Sequence, residues 1–283
     1  MDDQAQGTPR DPFAAGLASG WKLIDASQLP QDRTIAADVA IVGTGAGGGT
    51  AAEILSAAGL SVVMIEEGPL ATSSDFHMRE SEAYPQLYQE SAARKTKDHA
   101  IDILQGRCVG GGTTVNWTSS FRTPAATLAH WASEYRLDGF GERNLAPWFE
   151  RMERRLGIAD WPVAPNENNA VLRRGAEALG IRVEPIRRNV RGCWNLGYCG
   201  MGCPTNAKQS MLVTTIPAAL DHGATLVTRS RALTLEFAGR RASALVCAAL
   251  DARGIDPTPR RLTVLTSTSP SSHREVWMYF GCS

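Results

Sequence analysis

The chain lacks a charge surplus: 29 Lys and Arg stand against 29 Asp and Glu, for a formal net charge of zero over 283 residues. Sequence-independent grip on a polyanion needs a basic excess, so nucleic-acid binding is not expected. Long apolar runs are also missing. The longest weakly charged stretch, Ala36 to Ile65, carries Asp38 and Glu53 and is broken by six glycines from Gly43 to Gly59, so no transmembrane segment is expected. Cysteine is sparse, with six residues, too few for a disulfide scaffold of this length. The start, Met-Asp-Asp-Gln, has no basic patch followed by an apolar core. No secretory signal is expected there, the expected location is cytoplasmic, and thiols or ligands are expected before bridges.

What is present is enough for a core. Hydrophobic residues make up 43 %, and the length, about twice ~150 residues, suggests one large domain or two interleaved ones. Residues 1–36 are polar and mixed with Pro, Gly and Ala, with Trp21 and Leu23 as docking points; they read as an extended N-terminal arm. Asp38 to Gly43 is a β-branched apolar run, hence a buried strand. Thr50 to Ala58 is a small-residue helix stopped at Gly59, and Ser61 to Glu66 is a second buried strand. Together they form a βαβ unit of about 30 residues, which calls for a parallel sheet. Residues 70–105 are polar and helix-prone. Helices are expected over 127–156, 168–180 and 213–222, a loop over 192–204, and strands over 224–228, 233–237 and 244–250.

Gly43-Thr44-Gly45-Ala46-Gly47-Gly48 fits G-x-G-x-x-G between the first strand and the helix. Gly43 permits the tight turn, Gly45 lets a pyrophosphate approach the backbone, and Gly48 lets the helix lie close to the strand. The helix N-terminus then offers free N–H groups to phosphate. Glu66, 23 residues after Gly43, ends the second strand where a ribose hydroxyl needs an acceptor, and it would repel a 2′-phosphate. The fingerprint alone also suits an NAD-linked dehydrogenase.

A second glycine cluster runs Gly106-Arg107-Cys108-Val109-Gly110-Gly111-Gly112-Thr113-Thr114-Val115-Asn116. With the first motif, it resembles the glucose–methanol–choline (GMC) oxidoreductase family of FAD enzymes, whose pattern is Gly-Arg-x-aliphatic-Gly-Gly-small-small-x-aliphatic-Asn. Ile65 to Gly68 resembles the family's ribose-binding strand end. Gly202 to Pro217 resembles the helix leading back into the FAD domain, and Gly223 to Phe237 the strand pair that holds adenine. The similarity runs over roughly residues 36–250 and argues against the NAD reading.

The resemblance implies an α/β fold, an FAD/NAD(P)-binding, Rossmann-like parallel sheet with an interleaved, incomplete substrate domain. The expected layout is an arm at 1–36, a first FAD-binding part at 37–130, a substrate or cap segment with a Cys-rich loop at 131–210, a returning FAD-binding part at 211–265 and an atypical tail at 266–283. It implies FAD as cofactor, with Gly43, Thr44, Gly45, Gly48, Glu66, Arg107, Val109, Gly111, Gly112, Thr113, Asn116 and the main-chain amide of Ala232 in contact with it. The implied reaction oxidises a small-molecule alcohol by hydride transfer to flavin N5, with oxygen or an external carrier as electron acceptor.

The family's catalytic His lies near the end of a longer chain. His77, His99, His130, His222 and His273 all lie outside the matching context, so no catalytic residue is assigned. The pattern is lost after Leu265, and a truncation or frameshift near residue 266 is expected, leaving as the alternative an inactive nucleotide-binding fragment. Cys193-x5-Cys199-x3-Cys203-Pro204 offers three thiolates in a Gly-rich loop, a second candidate site for an iron–sulfur cluster, against reduced structural thiols or a pair bridging the loop.

Overall fold

The structure, a computed structural model, describes residues 11–161, 163–266 and 278–280, the last three by backbone alone. In chain order its elements are α1 (Pro12–Ala18), β1 (Lys22–Asp25), β2 (Arg33–Ala37), β3 (Val39–Val42), α2 (Ala46–Ala57), β4 (Val62–Ile65), α3 (Glu80–Leu87), α4 (Gly112–Val115), β5 (Ser119–Ser120), α5 (Ala125–Tyr135) and α6 (Glu142–Leu156). There follow β6 (Ile158–Ala159), α7 (Glu167–Ala178), β7 (Arg187–Asn189), α8 (Thr215–Asp221), β8 (Thr225–Thr228), β9 (Ser230–Ala238), β10 (Arg241–Leu250), β11 (Pro257–Thr266) and β12 (Met278–Phe280). The chain divides into two compact units, Met1–Trp117 with Cys193–Ser283, and Thr118–Gly192.

The first unit is built on a five-stranded sheet in the order β1-β8-β4-β3-β12, with every pair parallel. Its central strands read as unbroken apolar runs because both faces are covered, the rule for parallel sheets. One face meets a four-stranded sheet, β2-β11-β10-β9. Ala40, Val63, Ile65 and Val227 pack there against Leu245, Cys247, Leu262 and Val264. On the other face Ile41 lies under α2, which packs in turn on α8 through Gly49 and Thr215. Burying a side chain such as Ile41 or Leu226, both 0 % exposed, contributes about 1.5–3 kcal/mol.

Three expectations need correction. The arm over 1–36 does more than dock. Residues Lys22–Asp25 extend the parallel sheet as β1 beside β8, and Arg33–Ala37 extend the second sheet as β2 beside β11. Helix α2 begins at Ala46 rather than Thr50, because contact with Gly43 and Ile41 outweighs the low helix propensity of its glycines. Over 70–105 only Glu80–Leu87 is an α-helix. The stretch after it folds back on itself, with Lys95 paired to Asp102 and the Thr96 N–H donating to the Ile101 carbonyl at 3.0 Å. A charged run with no apolar stripe has no face to bury as a helix.

The second unit holds a small antiparallel sheet, β5-β7-β6, with α5, α6 and α7. Helix α6 ends where Gly157 takes a left-handed conformation, φ 61°. Arg122 grips Glu153 through two hydrogen bonds of 2.9 Å. The unit's limits, 118 and 192, differ from the expected 131 and 210, so the cysteine loop belongs to the first unit. The break expected near residue 266 falls at the end of β11. Most of the tail, 267–277 and 281–283, lies outside the described residues. No helix of the described residues is long and apolar enough to cross a membrane.

Candidate cofactor-binding site

Gly43 closes β3 with φ 86°, a conformation that favours glycine, and its N–H donates to the Ile65 carbonyl at 2.8 Å. The chain then turns straight into α2. A Cβ on Gly48 would stand 2.0 Å from the Gly43 carbonyl oxygen, so only glycine lets the helix seat there. Gly45 is the N-cap of α2 and supplies no side-chain hydrogen bond. The first amides of α2 have no intrahelical acceptors and are available to an anion.

Glu66, one residue past β4, is 2 % exposed. Its Oε2 accepts the Thr44 N–H at 3.1 Å and the Thr44 hydroxyl at 2.6 Å, and its Oε1 accepts the Gly68 N–H at 2.9 Å. Burial raises its carboxyl above the ordinary value, against the pull of these hydrogen bonds. Thr44 Oγ also accepts the Gly110 N–H at 3.0 Å. One hydroxyl therefore joins the first glycine turn, the end of β4 and the second glycine cluster.

The two clusters touch backbone to backbone: a Cβ on Gly111 would lie 2.9 Å from the Gly45 Cα. Val109 is fully buried, its N–H donating to the Pro69 carbonyl at 3.0 Å. Thr113 Oγ donates to the Gly110 carbonyl at 2.6 Å and accepts the Met211 N–H at 3.0 Å. The Asn116 N–H closes α4 on the Gly112 carbonyl at 2.9 Å. Gly112 stands apart, because a Cβ there would meet nothing within 4 Å. Backbone thus walls the cradle on the side of Gly45 and Gly111 and leaves open space at Gly112. Uncapped amides beside an open, glycine-walled space fit a dinucleotide diphosphate.

Arg107 and Ala232 complete the expected set. The Arg107 guanidinium donates to Glu67 Oε1 at 2.9 Å and to the Gly254 carbonyl. Arg231 shares the same Glu67 oxygen at 3.0 Å. Glu67 therefore ties the second cluster to β9. Ala232 is half-buried in β9 opposite Cys247, two residues after Ser230, whose N–H donates to the Glu66 carbonyl at 2.9 Å.

Lys208 and Tyr88 went unread in the sequence. Lys208 is 2 % exposed, and its Nζ donates to the carbonyls of Thr114 at 2.6 Å, Cys199 at 2.7 Å and Asn116 at 2.9 Å. Burial pulls its pKa down to about 8. The Tyr88 hydroxyl donates to the Gly200 carbonyl at 2.6 Å, and burial pushes its pKa up to about 12. The available signal was a lone lysine entering an apolar stretch, Met211 to Val213, in a chain with only four lysines.

These donors pin the cysteine loop by its carbonyls. Cys193 Sγ accepts the Asn195 N–H at 3.4 Å, and Cys203 Sγ accepts the Lys208 N–H at 3.4 Å. Among the described residues no group of three or more His, Cys, Asp or Glu side chains comes together to hold a metal. Cys193, Cys199 and Cys203 do not form such a group. Of the histidines, His77 is bonded to Glu82 and the Ser74 carbonyl, and His130 packs edge-on to Tyr135. His273 lies outside the described residues.

The sequence profile described as GMC oxidoreductase matches residues 84–269. An uncharacterized GMC-type oxidoreductase, y4nJ of Sinorhizobium fredii, is 34 % identical over 227 residues, 80 % of this chain and 45 % of its own length. The long-chain-alcohol oxidase FAO4B of Arabidopsis thaliana is 35 % identical over 198 residues, 70 % of this chain and 26 % of its own. The chain thus spans less than half of either relative. Among solved structures, a formate oxidase superposes with TM-score 0.58 at 15 % identity, over 88 % of this chain and 46 % of its own. An FAD-dependent oxidoreductase from Chaetomium thermophilum gives 0.59 at 14 %, over 82 % and 44 %.

Proposed function

This chain belongs to the GMC oxidoreductase family, with FAD as the cofactor that goes with it, and from that premise we propose that it is the FAD-holding portion of an oxidoreductase acting on CH–OH groups. The observation that carries the reading is the junction of the two glycine clusters through Thr44, with uncapped α2 amides on one side and open space at Gly112 on the other. In this reading the α2 amides take the diphosphate. Glu66, whose oxygens hold Thr44 and the Gly68 amide, is assigned to the ribose hydroxyls as a further acceptor; Ala232 offers its main-chain amide to the adenine, and Val109 to Asn116 lie against the flavin. Arg107 acts through Glu67, fixing the second cluster relative to β9.

FAD, when bound, supplies the acceptor for the two electrons of an alcohol's hydride. The chain's own residues bind and orient, and the acid–base role is assigned to none of them. The long-chain-alcohol oxidase relatives support a primary alcohol as the substrate class. Oxygen or an external carrier is the acceptor we propose.

The test is uptake of FAD by the purified chain, followed by its absorbance near ~450 nm and by mass after denaturation. Wild type is expected to hold about one FAD per chain. Gly112→Leu is expected to lose it while keeping the urea midpoint of the FAD-free protein, because the added side chain enters open space. A colourless wild type that FAD leaves thermally unshifted would refute the reading. Turnover of a primary alcohol with an artificial electron acceptor then tests the chemistry separately from binding.

A further inference from the structure

A buried ammonium is costly, since taking it out of water loses several kcal/mol that a methionine of similar length would not lose. Lys208 nevertheless sits buried with three carbonyls as its partners. Three N–H donors diverging from one point are a property of lysine alone. Two of the carbonyls, Thr114 and Asn116, belong to the C-terminal end of α4. The last carbonyls of a helix lack intrahelical donors there and attract a cation. The third, Cys199, lies in the cysteine loop. Three residues further on, the Met211 N–H donates to Thr113 Oγ at 3.0 Å, so the 208–211 segment holds α4 at a second point.

We propose that Lys208 is a positioning residue for FAD: it sets the Thr114–Asn116 backbone against which the flavin lies and couples the cysteine loop to that backbone. This rests on the FAD reading above. Lys208 acts through the carbonyls it holds, and its ammonium is fully engaged with them. Neither glycine cluster could hold this geometry by itself, because α4 is a single turn of four residues, too short to be stable by its own hydrogen bonds.

The experiment compares wild type, Lys208→Met and Lys208→Arg. On the chain without added FAD, hydrogen exchange is read by segment. Lys208→Met is expected to speed exchange at residues 112–117 and 197–203 by about tenfold or more, with β3 and β4 unchanged. Lys208→Arg, which keeps the charge but whose planar fork cannot send three donors diverging from one point, is expected to restore only part of the protection. With FAD added, Lys208→Met is expected to bind about tenfold more weakly and to lose the visible circular dichroism of the bound flavin, again with only partial rescue by arginine.

Lys208→Gln, with two donors on a shorter stem, replaces the methionine variant if that one fails to fold. Exchange that rises equally in β3 and β4 would mark a global loss of stability and overturn the proposal. So would a Lys208→Met chain that binds FAD with wild-type affinity and dichroism. A wild type that takes up no FAD instead overturns the flavin reading, whereas a wild type that binds beside a methionine variant that binds equally overturns the role of Lys208 alone.

Discussion

Glu66 and Thr44 show how a buried polar pair is made affordable. Glu66 would be costly alone, but its two oxygens accept three hydrogen bonds, two from Thr44 and one from the Gly68 amide. Burial still dominates and raises its pKa above 4.5. The folded state therefore holds a proton at pH values where the unfolded chain has lost it. The stability this provides is complete below the unfolded value and is lost as pH rises through the folded one. Relative to Glu66→Gln, wild type is expected to be most stable near pH 4 and to lose ground toward pH 8. Paired urea denaturations across that range check the sign, and a difference that grows with pH contradicts it. The same substitution places an amide N–H2 against the Gly68 or Thr44 donors, so the variant is expected to be weaker in FAD binding as well.

At the scale of elements, α2 is placed by what it lacks. Gly48 lets its first turn lie on the Gly43 carbonyl, and Gly49 lets it lie on Thr215 of α8. Gly48→Ala puts a methyl 2.0 Å from a backbone oxygen, which no rotamer change relieves. The helix must shift, with a loss of about 1–3 kcal/mol by overpacking and a displaced diphosphate cradle. A urea midpoint of wild-type value would show that the turn yields without cost. The cysteine loop obeys the same economy of space. A Cβ on Gly202 would enter the Phe76 ring, so packing and carbonyl hydrogen bonds shape the loop.

Across the whole molecule, the two units differ in how much they bury. The first carries two packed sheets, with α2 and α8 layered on one of them, around continuous apolar layers. In the second, residues 118–192, only Thr118, Leu128 and Asn189 are buried among the described residues, while Tyr135, Trp148, Leu172 and Leu179 stand more than half exposed. Few buried contacts mean low local stability. Limited proteolysis is therefore expected to cut first between residues 138 and 166, with the first fragments identified by mass. A first cut within β3, α2 or β4 would contradict this ranking.

The sequence by itself determined the βαβ unit, the glycine turn at its centre, the acid 23 residues on and the second cluster. These rest on short-range facts: apolar runs, steric freedom and fixed spacing. It did not show that residues 22–37 would supply two strands, that Thr44 would bond Gly110, or that Lys208 would reach Thr114. The last two contacts join residues 66 and 94 positions apart in the chain. Only tertiary structure decided them. A contact made by chain closure leaves no periodicity, and a lysine shortly before an apolar run reads the same whether it ends in water or beneath three carbonyls.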